Sequence, residues 1–378
     1  MDELQQVLSA ARDQDRQDRR WALATIVAVS GSTYRRAGAR LVVRDDNSWV
    51  GNLSGGCLEG EVLELGGASI DDGRPRRDFY DLTADEEAIW GWGLGCNGAM
   101  DVFVAPDRVA RSHLDLLERG RATGAPFRLV TIIADGSDGS DGSDGSDGDA
   151  AADGPEVGAT ALLTADGAVD GAQDVGDEVV AAARLTDETT VLEVGEREVF
   201  VEHTGPPLRV LVCGAGHDAI PVVARGASLG WDMVVVDDRA SFLDEERFPE
   251  AAGFVHADPG DAAEAADVGP RDAAVVMSHN FLRDAQYLAS LAPVGLSYLG
   301  MLGPGARLER LVDHLLEQGT DVRDHLGAVH GPAGLDLGAE GPDEIALCIV
   351  AEVLAVQRDR EAGFLRDRGG PIHRPEDG

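Results

Sequence analysis

Lysine is absent from this chain of 378 residues, and all 32 of its basic residues are arginine. The absence excludes a P-loop lysine, a Schiff base and a catalytic ammonium group, because each of these needs the lysine side chain. An anionic ligand must therefore be held by arginine side chains or by backbone N–H groups.

Positive charge is scarce as well. The 69 acidic residues outnumber the basic ones and give a formal net charge of −37. A surface of this sign repels phosphate backbones and anionic lipid headgroups, so nucleic acid and membranes are excluded as expected partners. An acid excess of this size is typical of proteins adapted to high salt, in which dissolved ions screen the self-repulsion.

Cysteine is rare and scattered. The four residues Cys57, Cys96, Cys213 and Cys348 form no CxxC pair, which argues against a structural zinc site or a disulfide framework. Cys213 ends an apolar run and Cys348 lies within a helical pattern, so both are expected in the core. A reducing, cytoplasmic location is the expectation.

Long apolar runs are missing too, and none reaches the length needed to span a membrane. Arg19-Arg20 followed by the apolar residues 21–29 imitates a twin-arginine export signal, but no small-residue cleavage site follows. A buried β-strand explains residues 21–29 better. The length predicts two domains.

What the chain does contain is a glycine-rich turn between an apolar run and a helical segment, at residues 208–219. Gly214 permits a tight turn, and Gly216 lets a phosphate approach the backbone at the helix N-terminus. A second apolar run ends at Asp237, where an acid would hold a ribose hydroxyl and favour NAD over NADP. The pattern predicts a Rossmann-like, doubly wound domain.

The organisation follows from composition. Pro206-Pro207 mark a boundary between an N-terminal mixed α/β domain, residues 1–205, and the Rossmann-like domain, residues 206–362, with a polar tail at 363–378. Gly-Ser-Asp triplets occupy much of residues 136–156 and contain too little apolar surface to fold, so a flexible insertion is expected there.

Two glycine loops of the first domain contain cysteine. Cys57 follows Gly55-Gly56 at a predicted helix N-terminus, where the helix dipole and free amides would favour a reactive thiolate. Cys96 lies in a second loop, Gly95 to Gly98. Either cysteine could instead be a small buried apolar residue. The adjacent Arg35 and Arg36 offer a phosphate-sized cationic site, with solvated surface charge as the alternative.

Three positions in the second domain are further candidates. His217 directly follows the glycine turn and could touch a phosphate or a ring, or simply cap the helix. His279 is predicted at the carboxyl end of a strand, the edge where open α/β sheets bind ligands. Gly300 begins a Gly-Met-Leu-Gly run that would supply a wall of backbone.

The ordered set of motifs resembles the XdhC/CoxI family of molybdenum hydroxylase maturation factors. The resemblance rests on short sequence segments that occur in order through both domains: Gly31-Ser-Thr, Arg35-Arg36, Ser54-Gly-Gly-Cys-Leu-Glu59, Gly95-Cys96, Gly214-Ala-Gly-His217, Val236-Asp-Asp-Arg239, His279, Gly300–Gly303 and Pro342-Asp-Glu.

The resemblance implies an accessory protein that binds the molybdenum cofactor (molybdopterin), protects or helps sulfurate it, and delivers it to a xanthine dehydrogenase-like apoenzyme. A cysteine desulfurase could supply the sulfur. In this hypothesis Cys57 lies near the metal or its sulfur, Cys96 is the second thiol, and Arg35 and Arg36 hold phosphate.

Two other hypotheses stay open. The βαβ pattern alone is compatible with an NAD(P)-dependent oxidoreductase, and also with a regulatory protein that senses a nucleotide. A homodimer is possible for each of the three.

Overall fold

The computed structural model describes residues 3–56, 58–81, 97–135 and 156–369, which form two compact units, residues 3–206 and residues 207–368. The predicted insertion at 136–156 lies outside the described residues except for Glu156. No helix in these ranges is both long enough and apolar enough to cross a membrane.

The first unit is a mixed α/β structure with two antiparallel sheets. Its elements are α1 (Glu3–Arg16), β1 (Trp21–Ser32), β2 (Arg40–Arg44), β3 (Trp49–Gly51), α2 (Glu59–Asp72), β4 (Arg76–Asp81), β5 (Asn97–Pro106), α3 (Asp107–Ala122), β6 (Phe127–Ala134), β7 (Thr160–Thr164), β8 (Val169–Asp170), α4 (Ala172–Val175), α5 (Asp177–Ala183), β9 (Thr190–Val194) and β10 (Arg197–Thr204).

The two sheets have the same topology. The first has the strand order β3-β2-β1-β5-β4 and the second β8-β7-β6-β10-β9, and each follows a helix in the chain. Helix α2 of the first half corresponds in sequence order to the short helices α4 and α5 of the second. The unit therefore contains an internal duplication, which is not evident from the sequence.

The duplication extends to single hydrogen bonds. Gly38 N–H donates to Ile26 O at 2.8 Å, and Gly158 N–H donates to Ile132 O at 2.7 Å, at the same point between paired strands. Beyond these bonds, the loop that follows β1 in the first half and the predicted insertion that follows β6 in the second half occupy equivalent places in the chain.

A shared core joins the halves. Trp21, Leu23 and Phe103 from the first sheet lie in one apolar cluster with Phe127 and Phe200 from the second. The outer face of the first sheet is covered by α2, and that of the second by α4 and α5. Successive side chains along each strand point to opposite faces of the sheet, so each sheet packs apolar residues both against the shared core and against its helices.

A buried polar network also connects the halves. The Arg40 guanidinium pairs with Glu202, and it donates to His113 Nε2 at 3.0 Å. His113 Nδ1 lies 3.3 Å from the Thr131 hydroxyl. Burial, followed by repulsion from Arg40, lowers the pKa of His113 to about 3, so the ring is neutral.

The second unit is Rossmann-like. Its elements are β11 (Arg209–Cys213), α6 (Ala219–Ser228), β12 (Asp232–Asp237), β13 (Gly253–His256), α7 (Ala262–Ala265), β14 (Ala273–Val276), α8 (Phe281–Leu291), β15 (Tyr298–Met301), α9 (Gly305–Glu317), β16 (Val329–His330) and α10 (Pro342–Gln357).

All six of these strands pair in parallel, in the order β13-β12-β11-β14-β15-β16. Separate apolar clusters cover the two faces of the sheet, with α6 and α10 on one side and α8 and α9 on the other. The predicted fold class is confirmed. Cys213 and Cys348 are buried, as expected of core residues.

Candidate functional site

Strand register brings three connections to one edge of the first sheet. Gly31 pairs with Gly98, and Leu41 pairs with Gly51. Consequently the loop from β1 to β2, the loop from β3 to α2 and the start of β5 lie at the same edge, which we call the loop edge. Arg35 and Arg36 belong to the first of these loops.

A buried carboxylate organises the loop from β3 to α2. Glu59, at the start of α2, accepts from Leu53 N–H at 3.3 Å, Ser54 N–H at 3.0 Å and Gly56 N–H at 2.9 Å. The Ser54 hydroxyl donates to it at 2.5 Å and accepts from Leu58 N–H at 2.8 Å. Glu59 thus closes the glycine loop from within.

The charge of Glu59 is stabilised by these donors. Burial alone raises its pKa, but the hydrogen bonds from the Ser54 hydroxyl and from nearby amides outweigh burial and lower the pKa below its ordinary value. The carboxylate is therefore ionised at neutral pH.

The predicted amide lining at Gly55 and Gly56 differs in detail. Gly55 N–H donates to Asn52 Oδ1 at 2.8 Å, and Gly56 N–H donates to Glu59. Both glycines are exposed, and a Cβ added to Gly56 would meet nothing within 4 Å. A ligand at this position would meet the open surface of the two glycines, because their N–H groups already have acceptors within the chain.

The Arg35-Arg36 loop lies against the glycine loop. The exposed Tyr34 ring comes within 3.5 Å of the position that a Cβ on Gly55 would take. Arg35 forms an ion pair with Glu3 of α1, and both side chains are about one third exposed. An ion pair this exposed is weak, so a doubly charged phosphate could displace Glu3.

Both candidate cysteines lie outside the described residues. Cys57 falls between Gly56 and Leu58, and Cys96 precedes Asn97, whose backbone pairs with Ser32 at the loop edge. Within the described ranges no group of three His, Cys, Asp or Glu side chains could hold a metal ion. The assignment of Cys57 to a metal stays a prediction.

In the second unit, Asp237 is used by the protein itself. Its buried carboxylate accepts from Ala215 N–H in the glycine turn at 2.7 Å and from the Arg239 side chain at 2.8 Å. Burial raises the pKa of Asp237, but these bonds outweigh it and bring the pKa to about 2. A ribose hydroxyl would have to compete with donors that already surround the carboxylate.

Gly214 has a conformation that requires glycine. Its φ is +113°, and a Cβ would lie 2.7 Å from the Cα of Ser278, which follows the end of β14. The turn is therefore in direct contact with the end of the neighbouring strand, at the point where the strand order reverses.

The predicted candidates His217 and His279 differ in their contacts. His217 is exposed, whereas His279 Nε2 lies 2.5 Å from Asp218 Oδ2 across the turn. His279 has a φ of +56°, and its side chain remains 60% exposed. The pair joins the glycine turn after β11 to the end of β14.

Gly300 lies inside β15. It is buried, and a Cβ would lie 2.6 Å from the Tyr298 hydroxyl. Contact with the Tyr298 ring is thus a structural reason for glycine here, and a ligand contact at Gly300 stays a prediction.

Two family models match the sequence. One, described as the XdhC and CoxI family, matches residues 15–81, and the other, described as the XdhC Rossmann domain, matches residues 210–353. The first match spans the loops around Gly55, and the second begins in β11 and extends into α10. The chain belongs to the XdhC and CoxI family.

Relatives agree with this membership. The chain is 29% identical to a Bacillus subtilis (strain 168) protein named as a probable xanthine dehydrogenase subunit, over 89% of this chain and 93% of that protein. It is 22% identical to the molybdenum cofactor insertion chaperone PaoD of Escherichia coli (strain K12), over 90% and 84%. A crystal structure of a xanthine dehydrogenase from Bacillus halodurans superposes with a TM-score of 0.74 at 28% identity, covering 94% of this chain and 96% of that one.

Two residues of this XdhC-family chain gained a role only from the structure. Glu59 was part of a motif without a function, although an acid three residues after a turn glycine is the spacing of a capping box. Asp218 was part of the glycine turn without a function. Its contact with His279 joins residues 61 positions apart, which no local pattern reveals.

Proposed function

We propose that this chain binds the molybdenum cofactor at the loop edge of its first unit and delivers it to a molybdenum hydroxylase apoenzyme. The observation that carries the proposal is the contact between the Tyr34-Arg35-Arg36 loop and the glycine loop around Cys57. It places the loop that contains Arg35 and Arg36 against the open surface of the glycine loop, at the edge where Asn97, the residue after Cys96, begins β5.

In this proposal each group of residues meets a different part of the cofactor. Arg35 and Arg36 would hold its terminal phosphate, and the open surface of Gly55 and Gly56 would admit the flat pterin. Cys57 would lie near the metal or its sulfur, with Cys96 as the second thiol. When bound, the cofactor supplies the molybdenum centre on which the partner enzyme depends.

The duplication supports one cofactor per chain. In the second half, Glu156 takes the place of Arg36, because Ala159 N–H donates to Glu156 O as Ala39 N–H donates to Arg36 O. The connection from β8 to α4 and α5 contains no cysteine. By sequence, the equivalent loops of the second half therefore lack the arginine and the cysteine that the loops of the first half contain.

The names of the relatives favour this function and pose one alternative. PaoD is named an insertion chaperone, whereas the name of the Bacillus subtilis relative makes it part of the dehydrogenase. A chaperone releases the hydroxylase once it is loaded, whereas a subunit stays with it. Sulfuration with help from a cysteine desulfurase and a homodimeric state both remain predictions.

The test begins with the full chain purified anaerobically from a host that makes the cofactor. Released ligand is identified by the fluorescence of oxidised pterin and by mass spectrometry. We expect pterin on the wild-type chain, and a loss of at least about tenfold in the Cys57→Ala variant. Cys348→Ala, which removes a buried thiol of the other unit, should retain the cofactor.

Delivery is tested by adding the loaded chain to cofactor-free hydroxylase. The enzyme should gain activity and the chain should then elute separately in gel filtration. Stable co-elution after activation would favour a permanent subunit over a chaperone. A chain without pterin that carries a nicotinamide nucleotide would replace the proposal with the oxidoreductase alternative.

A further inference from the structure

The glycine turn of the Rossmann-like unit has a carboxylate beside it, that of Asp218. In dinucleotide-binding sheets, the turn after the first strand offers its amides and the positive end of its helix to a diphosphate. Here the residue that precedes α6 is Asp218. Its Oδ1 lies 2.7 Å from the position that a Cβ on Gly216 would take, so the carboxylate lies directly over the turn.

His279 holds this carboxylate in place. His279 follows the end of β14, and its Nε2 lies 2.5 Å from Asp218 Oδ2. The φ of +56° at His279 is a left-handed conformation that costs free energy for a residue other than glycine. The surrounding structure therefore maintains a strained backbone that directs the imidazole to the carboxylate.

The other acids at this edge have a different kind of partner. Three further aspartates are each paired with an arginine, which stays charged at every physiological pH. These pairs are Asp237 with Arg239, Asp238 with Arg283, and Asp284 with Arg307. The ion-pair partner of Asp218 is instead an imidazole, which is charged only when it is protonated. The negative charge of Asp218 is thus less compensated than that of these three aspartates.

We propose that Asp218, held by His279, closes the glycine turn to phosphate and makes this Rossmann-like unit select against dinucleotides. A carboxylate and a phosphate within about 4 Å of each other repel strongly at the edge of a protein, and more strongly than a single helix terminus attracts. The proposal does not depend on the function assigned to the first unit.

The test is a calorimetric titration of the full chain with ADP and with NAD⁺. The wild-type chain should bind neither with a dissociation constant below about 1 mM. Asp218→Asn keeps the shape of the side chain and removes its charge, so it should bind ADP at least about tenfold more tightly. The control Asp343→Asn, in the first turn of α10, removes one charge elsewhere in the same unit and should leave binding unchanged.

Two more variants separate charge from shape. Asp218→Ser retains a residue suited to a helix N-terminus and should also gain affinity, which keeps the test valid if the asparagine variant folds poorly. His279→Asn tolerates the left-handed backbone and leaves the carboxylate charged but no longer held by the imidazole, so its gain should be smaller than that of either Asp218 variant. Micromolar binding of NAD⁺ by the wild-type chain, or no gain in either folded Asp218 variant, would overturn the proposal.

Discussion

Glu59→Gln is expected to destabilise the loop edge more than any other single-atom exchange in α2. The two carboxylate oxygens accept four hydrogen bonds, two each, and replacing one oxygen by NH₂ turns two of these acceptor contacts into donor–donor contacts. A hydrogen bond to a charged group contributes roughly 1.5–3 kcal/mol, and Ser54 can reorient its hydroxyl, so the net loss should be about 3 kcal/mol.

That loss is measurable by thermal unfolding. For a unit of this size each 1 kcal/mol lowers the midpoint by roughly 2–4 °C, so a decrease of about 6–12 °C is expected. Glu61→Gln is the matched control, because Glu61 is an exposed acid in the same first turn of α2. Equal midpoints for the two variants would refute the account of how the glycine loop is held.

Two further predictions concern stability. His113 has a pKa of about 3 when folded and about 6.5 when unfolded, so the stability that its neutral form provides is complete above pH 6.5 and is lost as the pH falls towards 3, by up to about 1.4 kcal/mol per pH unit. The free energy of unfolding, measured with urea between pH 6.5 and 5, should therefore depend less steeply on pH in His113→Gln than in the wild-type chain. An equal pH dependence in the two proteins would contradict the neutral, buried ring. Gly214→Ala should lower the free energy of unfolding by about 3–5 kcal/mol, since Gly214 has a positive φ and a Cβ there would meet the backbone of Ser278. The control is Gly253→Ala, because the space around Gly253 is open. Similar thermal midpoints for the two variants would show that the turn can relax.

The Rossmann-like unit was predictable because its signals are local. Apolar runs alternate with helical segments, and Gly214 precedes a helix as the pattern requires. The last helix begins after Gly341 with Pro342 and two acidic residues, which are typical of a helix N-terminus, and Glu344 accepts from Glu340 N–H at 2.9 Å. The short strand β16 could not be predicted, because two residues carry no periodic signal.

The duplication of the first unit was not predictable in the same way. Residues 38–44 and 158–164 share little beyond Gly-Ala and an apolar run. The insertion after β6 also makes the spacing between equivalent segments longer in the second half than in the first. Equivalent backbone bonds preserve the architecture, while few side chains are preserved. The duplication is therefore visible in the hydrogen bonds and the strand order, but not in the sequence identity between the halves.

The site predictions show a similar limit. Sequence spacing placed Gly55, Gly56 and Asp237 beside a ligand, but it could not tell which donors and acceptors the chain uses for itself. The Glu59 carboxylate accepts a hydrogen bond from Gly56 N–H, and the Arg239 guanidinium donates to the Asp237 carboxylate. Whether a polar group is available depends on contacts that form only in the folded chain.

We propose that the first unit holds one molybdenum cofactor at the loop edge. The most direct measurement is the molar ratio of released pterin to protein in the anaerobically purified chain. We expect a ratio close to one for the wild-type chain and a strongly reduced ratio for Cys57→Ala. A wild-type chain without pterin, from a host shown to make the cofactor, would contradict it.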